Sequence, residues 1–566
     1  MLIHRQFAAP GVQFLGYLII LACTTTARAQ TAPDAGSLLR QSEQKAPQLP
    51  TLPTLEAPRL LSDTGVKISV KRFEVEGSTR FSPERFAALL ADLVGKELGF
   101  AQMQAAADRV AALYRTQGLH ATAILPEQTL EDGVVRIRVI EGHLGAVKVE
   151  PGAGNKRPVP LSLLTPMLSA GQTAGQMIDT RQLERATLIA NDVPGVRVSS
   201  VLTAGANPGQ SDIIATVDSR PPVTGVVSGD NEDPRSTGAG KMSLNLALAD
   251  MAGIGDQAQL IANTSEGKHY ADLAYSVPLG SSGLRGALDA SYMRYRLLEE
   301  FAASGGRGQA ATAGVNLTYP LLRSETHDLY LSGGYNHRHL INDADAGNLS
   351  DKKTDSFNVG INGDSNDALG GGGAMVGALS FTGGKLNLDG DAADLEADAE
   401  GPHRDGSYAK VTGNLGRLQR LTQAGSLWVS VNGQYAGEKL DSSEQFSLGG
   451  PSGVRAYPVL EASGDQGVIA TAEYRYHVSD ALQLSAYYDF GHIDRERDPQ
   501  PSAPAPNSYS LQGVGVGVEW NIAKRVALHG MTATRIGTNP AANANGTDSD
   551  GTKRRPQFWV LAEVPF

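Results

Sequence analysis

The sequence has almost no cysteine. Its 566 residues include one, Cys23, which lies inside an apolar N-terminal segment that we expect to be removed. A mature chain without cysteine has no disulfide framework, no thiolate metal site and no cysteine nucleophile. Many proteins that cross an oxidising periplasm lack cysteine, so this absence fits an exported chain without identifying it.

Positive charge, long apolar runs and catalytic motifs are also scarce. The formal net charge is −11 and no extended cluster of Lys and Arg occurs, which argues against nucleic-acid binding. Only 41% of the residues are hydrophobic, and no segment after the N-terminus is apolar enough for a membrane helix. Neither Gly-x-Ser-x-Gly nor His-Glu-x-x-His is present, so we expect neither an enzyme nor a bound cofactor or metal.

The N-terminus predicts a secretory signal peptide over residues 1–29. Two basic residues precede an apolar segment at 14–22, and Ala27-Arg28-Ala29 supplies small residues at the cleavage position. The apolar segment is too short to span a bilayer as a helix. A lipoprotein site at Cys23 is the alternative, although the Ala-x-Ala cleavage site is better formed.

A short helix and a linker follow the signal peptide. Asp34 is a good N-cap for a helix predicted over residues 34–45, in which Leu38 and Leu39 are the apolar side chains. Four prolines make residues 46–64 an extended, semi-rigid linker. A single short helix is unstable in water by itself, so it must dock on another part of the protein or remain mobile.

Residues 66–141 and 142–219 show the same order of predicted elements, β-α-α-β-β. In the first module, Ser82-Pro83 begins a helix with apolar residues at i, i+3, i+4 and i+7, and Gly118 ends the second helix. The second module repeats this order with a different sequence. The repetition predicts two copies of one α+β domain.

From residue 222 to the C-terminus the pattern becomes one of strands and turns. We predict sixteen strands, several with apolar residues at every second position and polar or glycine residues between them, as in Val514 to Ile522. Their lengths suit tilted strands that cross a bilayer, and their polar faces require a hydrated interior. Residues 222–566 are therefore predicted to form a transmembrane antiparallel β-barrel of sixteen strands.

The C-terminal segment is the most informative example of this pattern. Phe558, Val560, Ala562, Val564 and Phe566 share one parity, so the last strand presents an apolar face to lipid and ends in a terminal phenylalanine. Outer-membrane barrels of Gram-negative bacteria end in this way, which makes Phe566 a candidate signal for barrel assembly.

The connections between the predicted strands alternate in length. Short turns such as 280–283 and 479–480 are interpreted as periplasmic, and long segments such as 339–352, 385–404 and 438–465 as extracellular loops. An even number of strands keeps both ends of the barrel chain in the periplasm with the N-terminal modules. The acidic residues of 385–404 lack a regular Ca²⁺-ligand spacing and are interpreted as a solvated loop.

The segment 446–458 is unusual for the tip of an extracellular loop, because apolar residues surround an arginine. Val454 and Tyr457 flank Arg455, which suggests a loop folded back against protein, into the lumen. A buried Arg455 needs an anionic partner, and Asp489 faces the lumen by the parity of its strand. The alternative is that Arg455 is a solvated loop charge and Asp489 lines a wet pore, and the spacing alone leaves both open.

These residues carry a specific resemblance. Gly453-Val454-Arg455-Ala456-Tyr457 resembles the Val-Arg-Gly-Tyr/Phe motif in the sixth extracellular loop of the Omp85 superfamily. Tyr488-Asp489-Phe490-Gly491 resembles the barrel-wall motif whose aspartate holds that arginine. The two modules look like POTRA domains. Their number, the N-terminal helix and the segment around Asp230-Asn231 are similar to the TpsB transporters of two-partner secretion, the haemolysin and filamentous-haemagglutinin secretion/activation proteins.

The resemblance covers nearly the whole mature chain and implies an outer-membrane transporter with its POTRA domains in the periplasm. Such a protein would export a large partner exoprotein, captured by the POTRA domains, without ATP. The helix at 34–45 would plug the resting pore, and loop 438–465, held by Arg455 and Asp489, would brace the inner wall. Outer-membrane lipid and the barrel-assembly machinery are the other implied partners.

The chain departs from the family pattern at two positions. Ala456 replaces the usual glycine of the loop motif, and Asp233 stands where this branch often has glycine. Neither change removes a charge, so the pairing of Arg455 with Asp489 remains the expectation. Two other functions stay open: a barrel-assembly factor of the same superfamily, which more often has three or more POTRA domains, and a passive porin, which needs none.

Overall fold

The structure is a computed structural model, and it describes residues 32–44, 50, 67–128, 132–155, 157–207, 209–500, 506–522 and 525–566. The predicted signal peptide lies outside these residues, and so does the predicted linker apart from Pro50. Among the described residues, no helix is both long and apolar enough to cross a bilayer.

Helix α1 (Ala35–Glu43) begins where the sequence predicts a helix. The Asp34 carboxylate accepts a hydrogen bond from the Ser37 N–H at 2.9 Å, and the Ser37 hydroxyl accepts one from the Asp34 N–H at 3.1 Å. This reciprocal cap satisfies two N–H groups that a helix end leaves unpaired. Leu38 and Leu39 are fully buried, so packing against the barrel stabilises this short helix.

The first module is an α+β unit with a three-stranded sheet. Its elements are β1 (Ile68–Ser69), β2 (Arg72–Glu76), α2 (Pro83–Leu90), β3 (Glu97–Leu98), α3 (Phe100–Thr116), β4 (Ala121–Ile124) and β5 (Val134–Glu141). The sheet has the order β2-β5-β4, with β2 parallel and β4 antiparallel to β5. Alternation along β5 buries Ile137 and Val139 against Phe86 and Leu90 of α2 and Val110 of α3.

The second module repeats this architecture. Its elements are β6 (His143–Pro151), α4 (Leu161–Ser169), α5 (Thr180–Asn191), β7 (Val196–Ala204) and β8 (Gln210–Ser219). The sheet has the order β6-β8-β7, with β6 parallel and β7 antiparallel to β8. Backbone hydrogen bonds join the two modules: the His120 N–H donates to the Ile178 carbonyl oxygen at 3.0 Å, and the Gly142 N–H to that of His120 at 3.0 Å.

Sixteen antiparallel strands then close into a barrel, which confirms the predicted fold class. The remaining elements are β9 (Val223–Asp230), β10 (Lys241–Ala249), β11 (Gln257–Thr264), β12 (Lys268–Pro278), β13 (Arg285–Arg296), β14 (Arg307–Arg323), β15 (His327–Ala344), β16 (Gly347–Asp367), β17 (Gly373–Asn387), α6 (Ala392–Glu400), β18 (Gly406–Arg420), β19 (Gly425–Ala436), β20 (Phe446–Ser447), β21 (Ser463–Gly464), β22 (Gln466–Ser479), β23 (Leu482–Asp494), β24 (Ser508–Ile522), β25 (Val526–Arg535) and β26 (Gln557–Pro565). The two-residue strands β20 and β21 pair with each other in the loop between β19 and β22. The last strand, β26, pairs with the first, β9.

Side chains alternate between the outer face and the lumen along these strands. On β24, Val514, Val516 and Val518 are exposed on the outer face, where lipid surrounds the barrel. Gly515, between them, faces inward, and a Cβ added to it would lie 2.5 Å from the ring of Tyr487. The inward glycines thus leave room for large side chains of the neighbouring strand.

Two predicted loops differ from the structure. Residues 339–352 are mostly strand, because β15 continues to Ala344 and β16 begins at Gly347. Polar pairs such as His339 with Asp351, 2.7 Å apart, lie on this extension, so the apolar alternation used to find strands is lost.

The acidic segment 385–404 has exposed acidic residues, as the sequence suggested, at Asp389, Glu396 and Glu400, but it is not simply a loop. It contains α6, and the buried Asp398 carboxylate accepts hydrogen bonds from the backbone N–H groups of Arg404 and Asp405 at 2.8–2.9 Å. Nowhere in the part of the chain that the structure describes do three or more His, Cys, Asp or Glu side chains form a group that could hold a metal ion.

Candidate functional site

The structure places Arg455 and Asp489 in direct contact inside the barrel. Arg455 lies in the loop between β19 and β22, and Asp489 lies on β23. The guanidinium donates to both carboxylate oxygens, from Nε at 2.9 Å and from Nη2 at 2.8 Å, and the Arg455 backbone N–H donates to Oδ2 at 3.1 Å. Arg455 is 7% exposed and Asp489 is fully buried. This bidentate geometry fixes the orientation of the loop as well as neutralising the charge.

Glu473 is a second acidic partner of Arg455 that the sequence analysis missed. Its Oε2 accepts from Nη1 of Arg455 at 2.7 Å, and its Oε1 accepts from Nε of Arg475 at 2.9 Å. The ring of Tyr487 completes the pocket, with its centroid 3.2 Å from the guanidinium carbon. Strand parity could have identified Glu473. Thr471 lies opposite the inward-facing Asp489, and Glu473, two residues further along the same strand, faces inward as well.

The other residues of the loop motif contact three further strands. Val454 and Tyr457 are fully buried, and Arg535 on β25 lies 4.4 Å from the Tyr457 ring centroid while its Nε donates to the Ala456 carbonyl oxygen at 3.2 Å. Trp559 on β26 donates its indole N–H to the Arg455 carbonyl oxygen. The motif therefore holds the loop against β22, β23, β24, β25 and β26, with the β24 contact made by Ala456.

Ala456, one of the two departures from the family pattern, fits this position. A Cβ added to Gly513 on β24 would lie 2.6 Å from the Cβ of Ala456. The glycine in the wall therefore makes the space that the alanine methyl group occupies. Ala456 has a negative φ angle, so the backbone here does not require glycine.

Helix α1 packs on an apolar patch of the inner wall. Ala35, Leu38 and Leu39 are fully buried in one cluster with wall residues of β12–β15 and the adjoining turn. The wall residues of this cluster are Tyr270, Met293, Tyr295, Leu297, Ala310 and Leu340. Burying a leucine side chain contributes roughly 1.5–3 kcal/mol, so two leucines give the helix a substantial attachment.

Ion pairs attach the same helix to both the wall and the loop. Arg338 on β15 lies 2.9 Å from Glu43 of the helix and 2.5 Å from Glu444 of the loop. Lys410 on β18 also pairs with Glu444, at 2.6 Å. At the other end of the helix, the Ser442 hydroxyl donates to the Asp34 carboxylate at 2.6 Å. The helix, the loop and the wall thus form one connected network.

Asp233, the second departure from the family pattern, adds a contact to this network. It lies in the loop between β9 and β10 and is 3% exposed. Its carboxylate is 2.9 Å from Nζ of Lys268 on β12, and it accepts from the amide of Gln41 in α1 at 3.1 Å. Lys268 in turn donates to the side-chain amide oxygen of Gln41 at 3.0 Å. The acidic residue therefore links the first extracellular loop to the helix.

The second module is attached to the periplasmic rim of the barrel. Arg323 at the end of β14 makes a bidentate pair with Asp192 after α5, from Nη2 and Nε at 2.9 Å each, and it also pairs with Asp328 at 2.8 Å. Arg185 of α5 donates to the Pro320 carbonyl oxygen at 2.6 Å. A cavity lined by Met167, Ile189, Val193, Pro278, Pro320 and Tyr330 lies beside these contacts.

The C-terminal residue Phe566 closes the barrel at this rim. Its backbone N–H donates to the Gly225 carbonyl oxygen at 2.9 Å and its carbonyl oxygen accepts from the Gly225 N–H at 3.0 Å. The side chain is 58% exposed, and its ring lies against Gly225, where an added Cβ would clash with it.

Comparisons with known proteins match this architecture. The profile of the family described as "Haemolysin secretion/activation protein ShlB/FhaC/HecB" matches residues 209–520, and that of "POTRA domain, ShlB-type" matches residues 68–142. The heme/hemopexin transporter protein HuxB of Haemophilus influenzae is 26% identical over 548 residues, which cover 93% of this chain and 94% of the relative. The outer membrane transporter CdiB of Dickeya dadantii is 24% identical over 508 residues, covering 87% and 88%.

Solved structures show the same fold. CdiB from Escherichia coli superposes with a TM-score of 0.63 at 20% identity, and the match covers 100% of both chains. BamA from Haemophilus ducreyi lacking POTRA domains 1–3 gives a TM-score of 0.54 at 15% identity, covering 88% of this chain and 100% of that one.

Proposed function

This chain belongs to the family of haemolysin secretion/activation proteins that includes ShlB, FhaC and HecB, and from that premise we propose that it exports one large, haemolysin- or adhesin-like exoprotein to the cell surface. The barrel lies in the outer membrane, with the POTRA domains in the periplasm. The observation that carries the proposal is a lumen occupied by a helix and a loop. The helix is attached through contacts that can be exchanged for those of a passing chain, and the loop is held by its motif.

Capture of the exoprotein is assigned to the POTRA domains. The outermost strands are β2 and β4 in the first sheet and β6 and β7 in the second. An outer strand has backbone groups available to pair with an extended peptide, which is the basis of recognition by β-augmentation. Ile124 on β4 and Ile140 on β5 are exposed on the open face of the first sheet and offer apolar contacts beside that edge.

Passage through the barrel requires the helix and the loop to play different parts. Helix α1 plugs the resting pore and leaves its site when the exoprotein enters. The loop between β19 and β22 stays, because five strands hold its motif, and it braces the wall while the extended chain moves past. No nucleotide drives this step, since folding of the exoprotein at the cell surface makes its return unfavourable.

The barrel itself has two further partners, one in the membrane and one during assembly. The apolar outer face binds outer-membrane lipid, and the C-terminal strand ending in Phe566 is the signal read by the barrel-assembly machinery. The terminal strand supports this role, because Phe558, Val560 and Val564 are exposed on one face beside Phe566.

A direct test compares the source bacterium with and without this chain, and with the chain restored. Loss of one large exoprotein from the culture medium, with other outer-membrane barrels at normal levels and recovery on restoration, is the expected result. Unchanged medium with depleted barrels would instead indicate an assembly factor. No change in either would leave a passive porin.

A further inference from the structure

The outer face of the barrel changes from apolar to polar along a row of residues on β12–β17. The extracellular end is the one opposite the POTRA domains. Towards that end, exposed apolar side chains such as Leu273, Phe357 and Phe381 give way to polar ones at the next one or two outward-facing positions. The first polar outward-facing residues are His269, Arg294, Gln309, His337, Asp355 and Lys385.

Strand pairing makes these positions neighbours. His269 lies opposite Arg294, and Arg294 lies opposite Gln309. Asp355 lies between His337 on one side and Lys385 on the other. Lys353 is the next outward-facing residue above Asp355 on β16. Gln309 pairs with Ile341 and His337 with Ala313, so strand pairing places these residues in two groups, one on β12–β14 and one on β15–β17, which together we call the polar band. Within each group, adjacent strands are about 4.8 Å apart.

Three cations of this band are unpaired. The side chains of Arg294, Lys353 and Lys385 are exposed and make no ion pair or hydrogen bond with any residue that the structure describes. The acidic neighbour Asp355 already has partners, because it accepts from the Tyr335 hydroxyl at 2.6 Å and lies 2.9 Å from His337. The band therefore presents free positive charge directly above an apolar surface.

The other side of the barrel differs only in part. At the extracellular boundary of β18, β19 and β22–β25, the outward-facing polar residues include Ser407, Gln466, His492, Gln512 and the acidic Asp494, and the exposed cations Lys553, Arg554 and Arg555 precede β26. Arg417 also faces outward, but it lies at the periplasmic end and pairs with Asp367 at 2.8 Å. Arg294, Lys353 and Lys385 differ from Arg417 in having no acidic partner among the residues that the structure describes.

We propose that Arg294, Lys353 and Lys385 bind the phosphate groups of a phosphorylated glycolipid in the outer leaflet. Guanidinium and ammonium groups form charge-assisted hydrogen bonds with phosphate oxygens. The acyl chains of the same lipid cover Phe357, Phe381 and the apolar residues below the band. A free phosphate ion would use only the cations, whereas a glycolipid matches both the cations and the apolar surface. The site does not depend on the identity of the exported protein.

The test measures binding of lipid A, which has two phosphates, to the full-length protein in detergent by native mass spectrometry. The triple variant Arg294→Gln, Lys353→Gln, Lys385→Gln should bind lipid A at least tenfold more weakly than the wild type. The matched control Lys71→Gln, Arg85→Gln, Arg115→Gln removes the same charge from exposed positions of the first POTRA domain. This control should bind like the wild type.

Each of the three single substitutions, which disturb the protein less than the triple variant, should weaken the binding of lipid A severalfold. Retention of wild-type affinity by the triple variant would overturn the proposal. Equal affinity for phosphatidylglycerol, or displacement of lipid A by millimolar inorganic phosphate, would also overturn it, because the site would then recognise charge alone.

Discussion

Trp559, on the last strand of the barrel, donates its indole N–H to the carbonyl oxygen of Arg455 at 2.8 Å. The guanidinium of the same arginine is held by Asp489 and Glu473, on β23 and β22. Backbone and side chain of one loop residue are therefore fixed to separate parts of the wall. This double attachment defines the position of the loop more strictly than the ion pair alone.

Replacing Trp559 with phenylalanine should loosen the loop without unfolding the barrel. The change keeps a ring in the site but leaves the buried Arg455 carbonyl oxygen without its donor, which costs about 1–3 kcal/mol. We expect a lower temperature of the heat-induced shift in gel mobility. Trp520→Phe, an outward-facing control on β24, should leave that temperature unchanged, and an equal shift in both variants would show that the hydrogen bond is unimportant.

The two acidic partners of Arg455 should not be equivalent. Asp489 accepts three hydrogen bonds from Arg455 and Glu473 accepts one. Asp489→Asn should therefore destabilise the loop by about 3–5 kcal/mol, the usual effect of removing one partner of a buried pair. Glu473→Gln should have a smaller effect, because Asp489 still balances the guanidinium.

The same pair should matter more for export than for assembly. In Arg455→Ala, secretion of the exoprotein should fall while the amount of folded barrel in the outer membrane stays nearly normal. The measurement compares the exoprotein in the medium with heat-modifiable barrel in the membrane. Normal secretion by Arg455→Ala would contradict the role in export that we assign to the loop.

Charged substitutions in α1 should open the resting pore. Leu38→Glu with Leu39→Glu places two carboxylates against the apolar wall patch, where ionised groups are strongly disfavoured without partners. In planar bilayers, the double variant should conduct for a much larger fraction of the time than the wild type. Gln44→Glu adds a charge at an exposed position just after the helix and should conduct like the wild type. A closed double variant would mean that another segment blocks the lumen.

Arg323 should determine how firmly the second POTRA domain is attached. Arg323→Ala removes the contacts to Asp192 and Asp328 at the rim. Such partly exposed pairs contribute about 1 kcal/mol or less, so we expect more motion rather than unfolding. Distances between spin labels on the domain and the barrel should broaden. Arg197→Ala, an exposed change on β7, should leave the distribution narrow.

At low pH, backbone amides of the first POTRA domain should lose protection from hydrogen exchange because Glu141 becomes protonated. Burial disfavours its charge, but hydrogen bonds from Thr79, Tyr114 and the Arg80 N–H outweigh that effect and hold the pKa of Glu141 below its usual value. Burial also raises the pKa of Tyr114 to about 12, so its hydroxyl remains a donor. A depressed folded pKa contributes stability above the unfolded pKa of about 4.3, and this is lost as pH falls through the folded value.

Hydrogen exchange of the Thr79 and Arg80 amides in the full-length protein measures this loss. Corrected for intrinsic rates, exchange should accelerate below about pH 4.3 in the wild type. In Glu141→Gln it should be fast at neutral pH and nearly independent of pH. Equal pH dependence in both proteins would assign the effect to another group.

The barrel and the Arg455–Asp489 contact could be anticipated because both follow from strand parity. Lipid on one side and water on the other impose an alternation that remains visible along Val514 to Ile522, and the same alternation turns Asp489 inward. The family motif then supplied the loop residue that needed an acid. Helix α1 was also predictable from its N-cap. The burial of Leu38 and Leu39 shows that this short helix docks on the inner wall of the barrel.

Other features depend on contacts between segments far apart in the chain. Glu473, Arg535 and Trp559 meet the loop motif only after the sheet has closed. Strand parity turns Glu473 inward, but nothing local to these residues indicates which loop residue they contact. Lys268 pairs with Asp233 across an intervening strand and completes its contacts with a residue of α1. The extension of β15 and β16 has polar side chains such as Asp343 and Lys353 on its outer face, so its sequence lacks the apolar period that identified the other strands.

The contacts of the loop motif also constrain the order in which the molecule is completed. They reach β26, which closes the barrel by pairing with β9. Until that strand is in place, the Arg455 carbonyl oxygen has no donor from Trp559 and the loop lacks one wall of its binding site. A fully seated loop can therefore exist only in a finished barrel, which ties readiness for export to the completion of assembly.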